Sequence, residues 1–274
     1  MVEILLATYN GEKYLSDQID SLLSQTVENW TLLVHDDGST DRTVSIIDLY
    51  QRKYPDKIFF IEDGIRNGGA KNNFSHLLNL SNASYIMFCD QDDVWMPNKV
   101  EVALEKMLEI EVKFPDRPIL IHTDLQVVDK HLNLISNSMF DYQRISKNIS
   151  KLEDILIQNN VTGCTMMLNS HAKSISLPIP KGAIMHDWWI AAQVILNNGA
   201  LIFIDRPTIF YRQHDSNSIG SKEINLQYYL KRVMNIRLFA RQFRKIVLQA
   251  QYFGHYKTSY LFFLKMKIFF KRLF

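Results

Sequence analysis

Short runs of four to six apolar residues alternate along the chain with stretches in which apolar residues recur every three or four positions, which predicts strands and helices in turn. Residues 2–7 read as a strand closed by Thr8-Tyr9-Asn10-Gly11, and helical spacing follows at Tyr14, Leu15, Ile19, Leu22 and Leu23. A second strand at 30–34 ends in His35-Asp36-Asp37-Gly38-Ser39. Ser39 or Thr40 can cap the next helix, which carries Val44, Ile46, Ile47, Leu49 and Tyr50 and stops before Pro55. A third strand at 58–61 leads into Arg66-Asn67-Gly68-Gly69-Ala70-Lys71, and a helix around Phe74, Leu77 and Leu78 returns to residues 85–89. Those five, all apolar or aromatic, read as a buried central strand. Alternation with short links predicts an α/β fold whose mostly parallel sheet has helices on both faces.

The second half departs from simple alternation. A helix beginning at Pro97 carries Val100, Leu104, Met107 and Leu108, and extended stretches follow at 119–124 and 125–128. Residues 141–151 read as a loop, and 161–168 as a strand in which Gly163 permits close backbone approach. A helix opens at His186-Asp187-Trp188-Trp189, two strands are predicted at 201–204 and 208–211, and Arg212-Gln213-His214 lies just beyond the second.

Every predicted strand end in the first half carries polar residues, ending with Asp90-Gln91-Asp92-Asp93. In open α/β sheets ligands bind outside these carboxyl ends. If the chain stays extended past Cys89, Asp90 and Asp92 point to one side. Two hard oxygen donors there suit Mg²⁺ or Mn²⁺ shared with phosphate oxygens. The alternative is an acidic turn capping a helix, but three mutually repelling carboxylates at a sheet edge favour a cation. Asp187 either caps its helix or acts as a general base, with the neighbouring Trp188 indole as a platform for a sugar face. His214 is a structural residue or completes a metal sphere. Asp37 can accept from a pyrimidine imide N–H and Tyr9 can stack on a base; Arg66 and Lys71 either meet phosphate or are solvated loop cations. Gly68-Gly69 lacks the spacing of a dinucleotide fingerprint or a P-loop.

Composition adds a charge asymmetry. Of the 274 residues, 47% are hydrophobic, enough for a packed core. Residues 221–274 hold 12 lysines and arginines against one acidic residue, Glu223, a net of +11; residues 1–220 hold 19 basic and 28 acidic residues, a net of −9. From residue 227 onward aromatic and aliphatic residues interleave with Lys and Arg, as in Tyr228-Tyr229-Leu230-Lys231-Arg232. Such a tail either lies in a bilayer interface or forms a helical hairpin packed on the body or on a second copy in a homodimer. No nucleic-acid module accompanies it, so nucleic acid is not an expected partner. Cys89 and Cys164 make neither a disulfide framework nor a thiolate cluster, which fits a reducing compartment. With no apolar leader and no run of 18 apolar residues, the expected location is cytoplasmic, with peripheral attachment to the inner face of the plasma membrane if the tail binds lipid.

Together Ala7-Thr8-Tyr9-Asn10-Gly11, Asp36-Asp37-Gly38-Ser39-Thr40-Asp41, Asn67-Gly68-Gly69-Ala70 and Asp90-Gln91-Asp92-Asp93 with Trp95 and Pro97 resemble the family 2 glycosyltransferases of the GT-A fold. The resemblance covers nearly all of residues 1–220 and implies a nucleotide-binding half, about 1–98, an acceptor half, about 99–220, and a separate tail, 221–274. His122-Thr123-Asp124, Val161-Thr162-Gly163-Cys164-Thr165, His186-Asp187-Trp188-Trp189 and Tyr211-Arg212-Gln213-His214 resemble bacterial rhamnosyltransferases that build surface polysaccharides. The resemblance implies that Ala7, Tyr9 and Asp37 contact the base, and that Asn67, Lys71 and Gln91 also line the nucleotide-sugar site. Asp90 would hold the ribose, Asp92 would ligate Mn²⁺ or Mg²⁺ on the diphosphate, and His214 would be a late metal contact. Asp187 would be the base of an inverting transfer and Trp188 an acceptor contact. The implied donor is dTDP-rhamnose or a UDP-sugar, and the implied acceptor a saccharide, free or lipid-linked. The Gln-x-x-Arg-Trp signature of processive synthases is missing, which points to addition of one or a few sugars. A non-catalytic nucleotide-sugar-binding scaffold is the reading from another class, and it leaves Asp90, Asp92, Asp187 and His214 together without a purpose.

Overall fold

A computed structural model describes residues 1–147, 149, 151–214 and 236–273. The expected boundary at 220/221 and the segment around Tyr228 lie outside the described residues.

The first half follows the predicted alternation: β1 (Val2–Thr8), α1 (Leu15–Leu23), β2 (Trp30–Asp36), α2 (Thr43–Lys53), β3 (Ile58–Ile61), α3 (Ala70–Leu80) and β4 (Tyr85–Cys89). After it come β5 (Val94–Trp95), α4 (Lys99–Lys113), β6 (Ile119–Val128), β7 (Leu134–Ser136), α5 (Met139–Tyr142), α6 (Leu152–Ile157), β8 (Met166–Asn169), α7 (Ser170–Ser176), α8 (His186–Leu196) and β9 (Ala200–Arg212). The described residues end with α9 (Ile236–Ala250) and α10 (Thr258–Leu273). The strands form one sheet in the order β3-β2-β1-β4-β8-β6-β9-β5, with β7 on β6. Neighbours from β3 to β4 are parallel, as are β6 and β9, while β8 runs antiparallel to both β4 and β6.

Side-chain alternation explains the layers. Ile4, Leu6, Leu32, Val34 and Met87 face a core shared with Leu15, Ile19, Leu22, Ile47, Val100 and Met107 of α1, α2 and α4. Leu5, Leu33, Ile86 and Phe88, one position out of phase, face a second core with α3, α6 and α8. Fully burying one such side chain contributes about 1.5–3 kcal/mol. These two faces therefore outweigh local helix propensity, which amounts to tenths of a kcal/mol per residue.

Three expectations are revised. The extended stretches at 119–124 and 125–128 are one strand, as are 201–204 and 208–211, because β6 and β9 pair along their length across register shifts. Residues 161–168 divide into a 3-10 turn, Gly163–Thr165, and β8. The expected loop at 141–151 overlaps α5 and leads into α6; the buried Asp124 carboxylate accepts the backbone N–H groups of Met139 (3.1 Å) and Phe140 (3.4 Å), a tertiary cap from 15 residues away.

The C-terminal helices pack on the body. Ile246, Ala250, Phe253 and Leu261 are buried in the second core. The buried Gln249 accepts the Ile184 N–H (2.7 Å), and Lys265 Nζ donates to the Ile157 carbonyl (2.9 Å). Among the described residues no helix is long and apolar enough to cross a membrane.

Candidate active site

Parallel pairing brings the carboxyl ends of β1, β2 and β4 to one rim, with Thr8 beside Asp36 and Leu6 beside Cys89. Asp36, which carried no assigned role in the sequence, ties this rim together. Its carboxylate accepts Thr8 Oγ1 (2.8 Å) and the N–H groups of Gly38 (3.0 Å) and Ser39 (2.7 Å). Asp37 accepts the N–H groups of Asn67, Gly68 (3.1 Å) and Gly69 (2.6 Å), so the loop after β3 closes around it. Gly69 holds φ +123°, a conformation few other residues adopt, and this aims its N–H at Asp37. The neighbouring Asn67 Nδ2 is buried and has no hydrogen-bond partner among the described residues. Tyr9, 56% exposed, stands at the rim beside the partly buried Ala7.

Gln91 bridges the β4 and β1 ends: its Oε1 accepts the Tyr9 N–H (2.8 Å) and its Nε2 donates to the Tyr9 carbonyl (3.0 Å). Its amide therefore fixes the backbone under the Tyr9 ring. Lys71 Nζ donates to the carbonyls of Lys181 (2.8 Å) and Ala183 (3.0 Å), which joins α3 to the loop before α8. It lines a cavity of about 580 Å³ together with Lys181, Lys245 and Tyr252. The Trp188 indole N–H donates to the Ile155 carbonyl, and its ring packs partly buried on the second core.

The chain turns at Gln91 and Asp92 instead of staying extended. Arg212, whose role the sequence did not reveal, is one cause. Its side chain is almost fully buried; Nε donates to the Asp92 carbonyl (3.0 Å), Nη1 to the Lys130 carbonyl (3.2 Å) and Nη2 to Asp17 (2.9 Å). Its guanidinium lies 4.4 Å from the Tyr14 ring centroid, and its backbone N–H donates to Asp93 Oδ1 (3.1 Å). Two residues on, His214 Nε2 lies 2.9 Å from Asp92 Oδ2, and its ring packs against Tyr14 at 4.7 Å. β9 thus delivers both the clamp and the imidazole to the acidic turn, 120 residues away in sequence.

Antiparallel β8 brings Gly163-Cys164 to the same place from the other side. Asp90, Asp93 and Cys164 hold potential ligand atoms within 4.8 Å of one another. Burial, then repulsion from Asp92 and Asp187, pushes the Asp90 carboxyl up to about 7. Burial, then repulsion from Asp92 and Asp90, raises Asp93 well above the usual carboxylate range, and its Oδ2 has no hydrogen-bond partner among the described residues. Burial raises Asp92 too, with His214 drawing it back. Lys99 is the buried cation beneath them, 4.6 Å over the Trp95 ring, and burial pulls its ammonium down to about 8. Clustered carboxylates with raised proton affinity and an orphaned buried oxygen want more positive charge than Lys99 and Arg212 supply. A hard divalent cation is suited to supply it.

Asp187 stands in the first turn of α8. Burial pushes it up to about 6, against hydrogen bonds from the Trp188 N–H (2.6 Å), Asn159 and the Gly163 N–H. Gly163 is required by contact: a Cβ there would lie 2.9 Å from His186 Nε2 and 3.7 Å from Asp187 Cβ. His186, wedged between Phe74 and Phe88, belongs to the core, and burial lowers its imidazole to about 3. Asp187 is not the N-cap of α8: that position is Met185, which makes no side-chain cap, and Asp187, within the first turn, takes the Trp188 N–H on one oxygen while its carboxylate stays near Asp90.

A mostly parallel sheet with an acidic turn at its central strand end, flanked by helices and crossed by an antiparallel β8, defines a GT-A-like nucleotide-sugar transferase fold. Solved structures agree: Staphylococcus aureus TarS 1–349 in complex with UDP-GlcNAc superposes over 98% of this chain and 72% of its own, with a TM-score of 0.65 at 15% identity. The mannosyltransferase PcManGT of Pyrobaculum calidifontis, in complex with GDP-Man and Mn²⁺, superposes over 97% of this chain and 73% of its own, with a TM-score of 0.59 at 14% identity. Residues 3–175 match the model of glycosyl transferase family 2, and the chain belongs to that family. Among curated relatives, the dTDP-rhamnosyl transferase RfbG of Shigella flexneri is 27% identical over 85% of this chain and 79% of its own. The UDP-Glc:alpha-D-GlcNAc-diphosphoundecaprenol beta-1,3-glucosyltransferase WfgD of Escherichia coli is 30% identical over 54% of this chain and 56% of its own. The chain is therefore a family 2 glycosyltransferase.

Proposed function

We propose that this glycosyltransferase moves L-rhamnose from dTDP-rhamnose, with inversion, to a saccharide acceptor in bacterial surface-polysaccharide synthesis. The observation that carries the reading is the enclosed Asp187 carboxylate, close enough to Asp90 to raise its proton affinity and so within reach of the acidic turn. Asp187 removes the proton of an acceptor hydroxyl while that oxygen forms a bond to the anomeric carbon. The bond from that carbon to the diphosphate breaks on the opposite face, and the nucleoside diphosphate leaves with the electron pair. A β-L-rhamnosyl donor then yields an α-L-rhamnoside. Asp92 and His214 are the residues to hold Mn²⁺ or Mg²⁺, which when bound supplies positive charge for the diphosphate. Asp37, Ala7 and Tyr9 receive the base, Asn67 offers its unpartnered amide, Gln91 holds the Tyr9 backbone, and Asp90 takes the ribose. Lys71 lines the nucleotide-sugar side and Trp188 borders the acceptor side.

Donor choice rests on the similarity to RfbG over most of both chains. A UDP-hexose donor is the second reading, favoured by the similarity to WfgD. Initial rates with dTDP-rhamnose and with UDP-glucose, UDP-galactose and UDP-GlcNAc, each with Mn²⁺, Mg²⁺ or chelator, decide between them. Transfer from dTDP-rhamnose at least tenfold faster supports the first; preference for a UDP-sugar overturns it and keeps the enzyme class. Donor binding with no turnover on any acceptor would favour the scaffold. Exposed Phe262, Phe263 and Phe270 on α10, beside Lys267 and Lys271, support peripheral membrane contact. Flotation with anionic liposomes at low salt checks it, and protein left at the bottom of the gradient rejects it.

A further inference from the structure

A second group of metal-ligand side chains lies behind the rim. His35 ends the buried part of β2, Asp63 follows β3 by two residues, and His76 faces them from α3. His35 Nε2 is 3.2 Å from Asp63 Oδ1 and His76 Nε2 is 2.6 Å from Asp63 Oδ2; one ligand atom from each residue falls within 4.8 Å of the others. The His35 ring and the His76 ring meet edge to face at 4.8 Å between centroids.

Hydrogen bonding fixes the tautomer of His35. Asn73 Nδ2 donates to the His35 carbonyl (3.1 Å), so the amide oxygen is the atom facing the ring, and His35 Nδ1–H donates to it (2.7 Å). In the neutral ring the lone pair on Nε2 therefore points at a carboxylate oxygen, in a side chain only 2% exposed. Asp63 Oδ1 also accepts the Ile65 N–H (2.9 Å), and across the 3.2 Å to His35 Nε2 either a proton or a shared metal cation must stand between the two acceptors. The Nδ1–H···O contact to Asn73 is also the kind of outer hydrogen bond that orients metal-binding imidazoles.

The geometry points to a binding site for a zinc-class divalent cation formed by His35, Asp63 and His76, apart from the acidic turn at Asp92. Two imidazoles and one carboxylate suit Zn²⁺ better than Mg²⁺ or Mn²⁺, which favour all-oxygen sets. Tetrahedral zinc at about 2.0–2.1 Å from nitrogen places its donors about 3.4 Å apart. The His76 Nε2–Asp63 contact must open by under about 1 Å and atom pairs as far apart as 4.8 Å must close toward about 3.4 Å, movements open to side-chain rotation of Asp63 and His76. The Asp63 and His76 side chains are 28% and 17% exposed, which leaves an entry path and a position for water. The ion joins β2, the loop after β3 and α3, the segment whose N–H groups close on Asp37.

The test is a titration of chelator-treated full-length protein with Zn²⁺ against a chromophoric chelator, with H76Q, D63N and D92N in parallel. Wild type and D92N are expected to bind one equivalent that H76Q and D63N lose or bind at least tenfold more weakly. Zn²⁺ at a hundredfold excess over its Kd should raise the wild-type melting temperature by about 5 °C or more and leave H76Q unmoved. Co²⁺ substitution should give the visible absorption of a four-coordinate site in wild type and not in H76Q. Both variants change partly exposed side chains, and their metal-free melts check folding. Equal Zn²⁺ uptake by wild type and H76Q, or no uptake by wild type, overturns the site and leaves His35, Asp63 and His76 as a hydrogen-bonded chain.

Discussion

The base assignment makes two linked demands on Asp187. Its carboxyl is raised from 3.8 to about 6 by burial. That is a little over two pH units, or about 3 kcal/mol at 1.36 kcal/mol per unit. For catalysis, ionised Asp187 is the active form, so rate falls as pH drops through 6. With a value near 6 about one tenth of the enzyme is ionised at pH 5, whereas with 3.8 more than about nine tenths would be. Transfer measured as kcat/KM at saturating Mn²⁺ should therefore fall about tenfold between pH 7 and pH 5. For stability the sign is opposite. The folded-state value lies above the unfolded one, so the protonated form's stability is fully present below 3.8 and is lost as pH rises through 6.

Asp187→Asn removes the charge and keeps the shape. It should lower kcat by about 10²–10⁴, abolish the inflection near 6 in whatever rate remains, and raise the melting temperature at pH 8. The gain is smaller than the full 3 kcal/mol, because the amide gives up an acceptor for one of the Trp188, Asn159 and Gly163 donors at about 1 kcal/mol. We expect about 1–2 kcal/mol, or about 3–6 °C, at pH 8 and no gain at pH 4. A rate flat between pH 7 and 5 would refute the shifted base. So would an Asp187→Asn enzyme that melts lower at pH 8 and still transfers sugar at the wild-type rate.

Arg212→Met should cost about 2–4 kcal/mol, since it leaves the part-buried Asp92 and Lys130 carbonyls without their donor, and its melting temperature should drop by about 5–10 °C. Asp17→Asn, which removes only a 57% exposed partner of the same arginine, should cost under about 1 kcal/mol by chemical denaturation. Gly163→Ala drives a methyl to 2.9 Å from a ring held between Phe74 and Phe88, so a loss of about 1–3 kcal/mol and a fall in kcat are expected from melts and rates. Gln91→Ala frees the Tyr9 backbone and should raise donor KM several-fold while kcat at saturation holds, a split that steady-state kinetics reads directly.

What the sequence disclosed and what it hid follow from the range of the forces involved. Strands with a period of two and helices with a period near four declare themselves locally, and parallel pairing then forces β1, β2 and β4 to present Tyr9, Asp37 and Asp90 at one rim. That much was legible. Side-chain partnerships across 80 to 120 residues were not: nothing near Gln91 announces that its amide closes on Tyr9, and nothing near Asp92 announces Arg212. The same limit explains the misread turn. Alternation predicts where Asp90 and Asp92 point only while the strand continues, and the strand stops because Arg212 holds the Asp92 carbonyl and β5 then pairs with β9. α5 escaped notice for a related reason, since the oxygen that receives its first N–H groups belongs to Asp124. Candidates such as Asp92 and His214 can thus be picked from the sequence, while Arg212, Asp36 and Gln91, whose contacts set the turn and the rim, cannot. A variant at one of the second group should move geometry and binding before it touches the protonation of Asp187, and this makes the pH profile the measurement that separates the two.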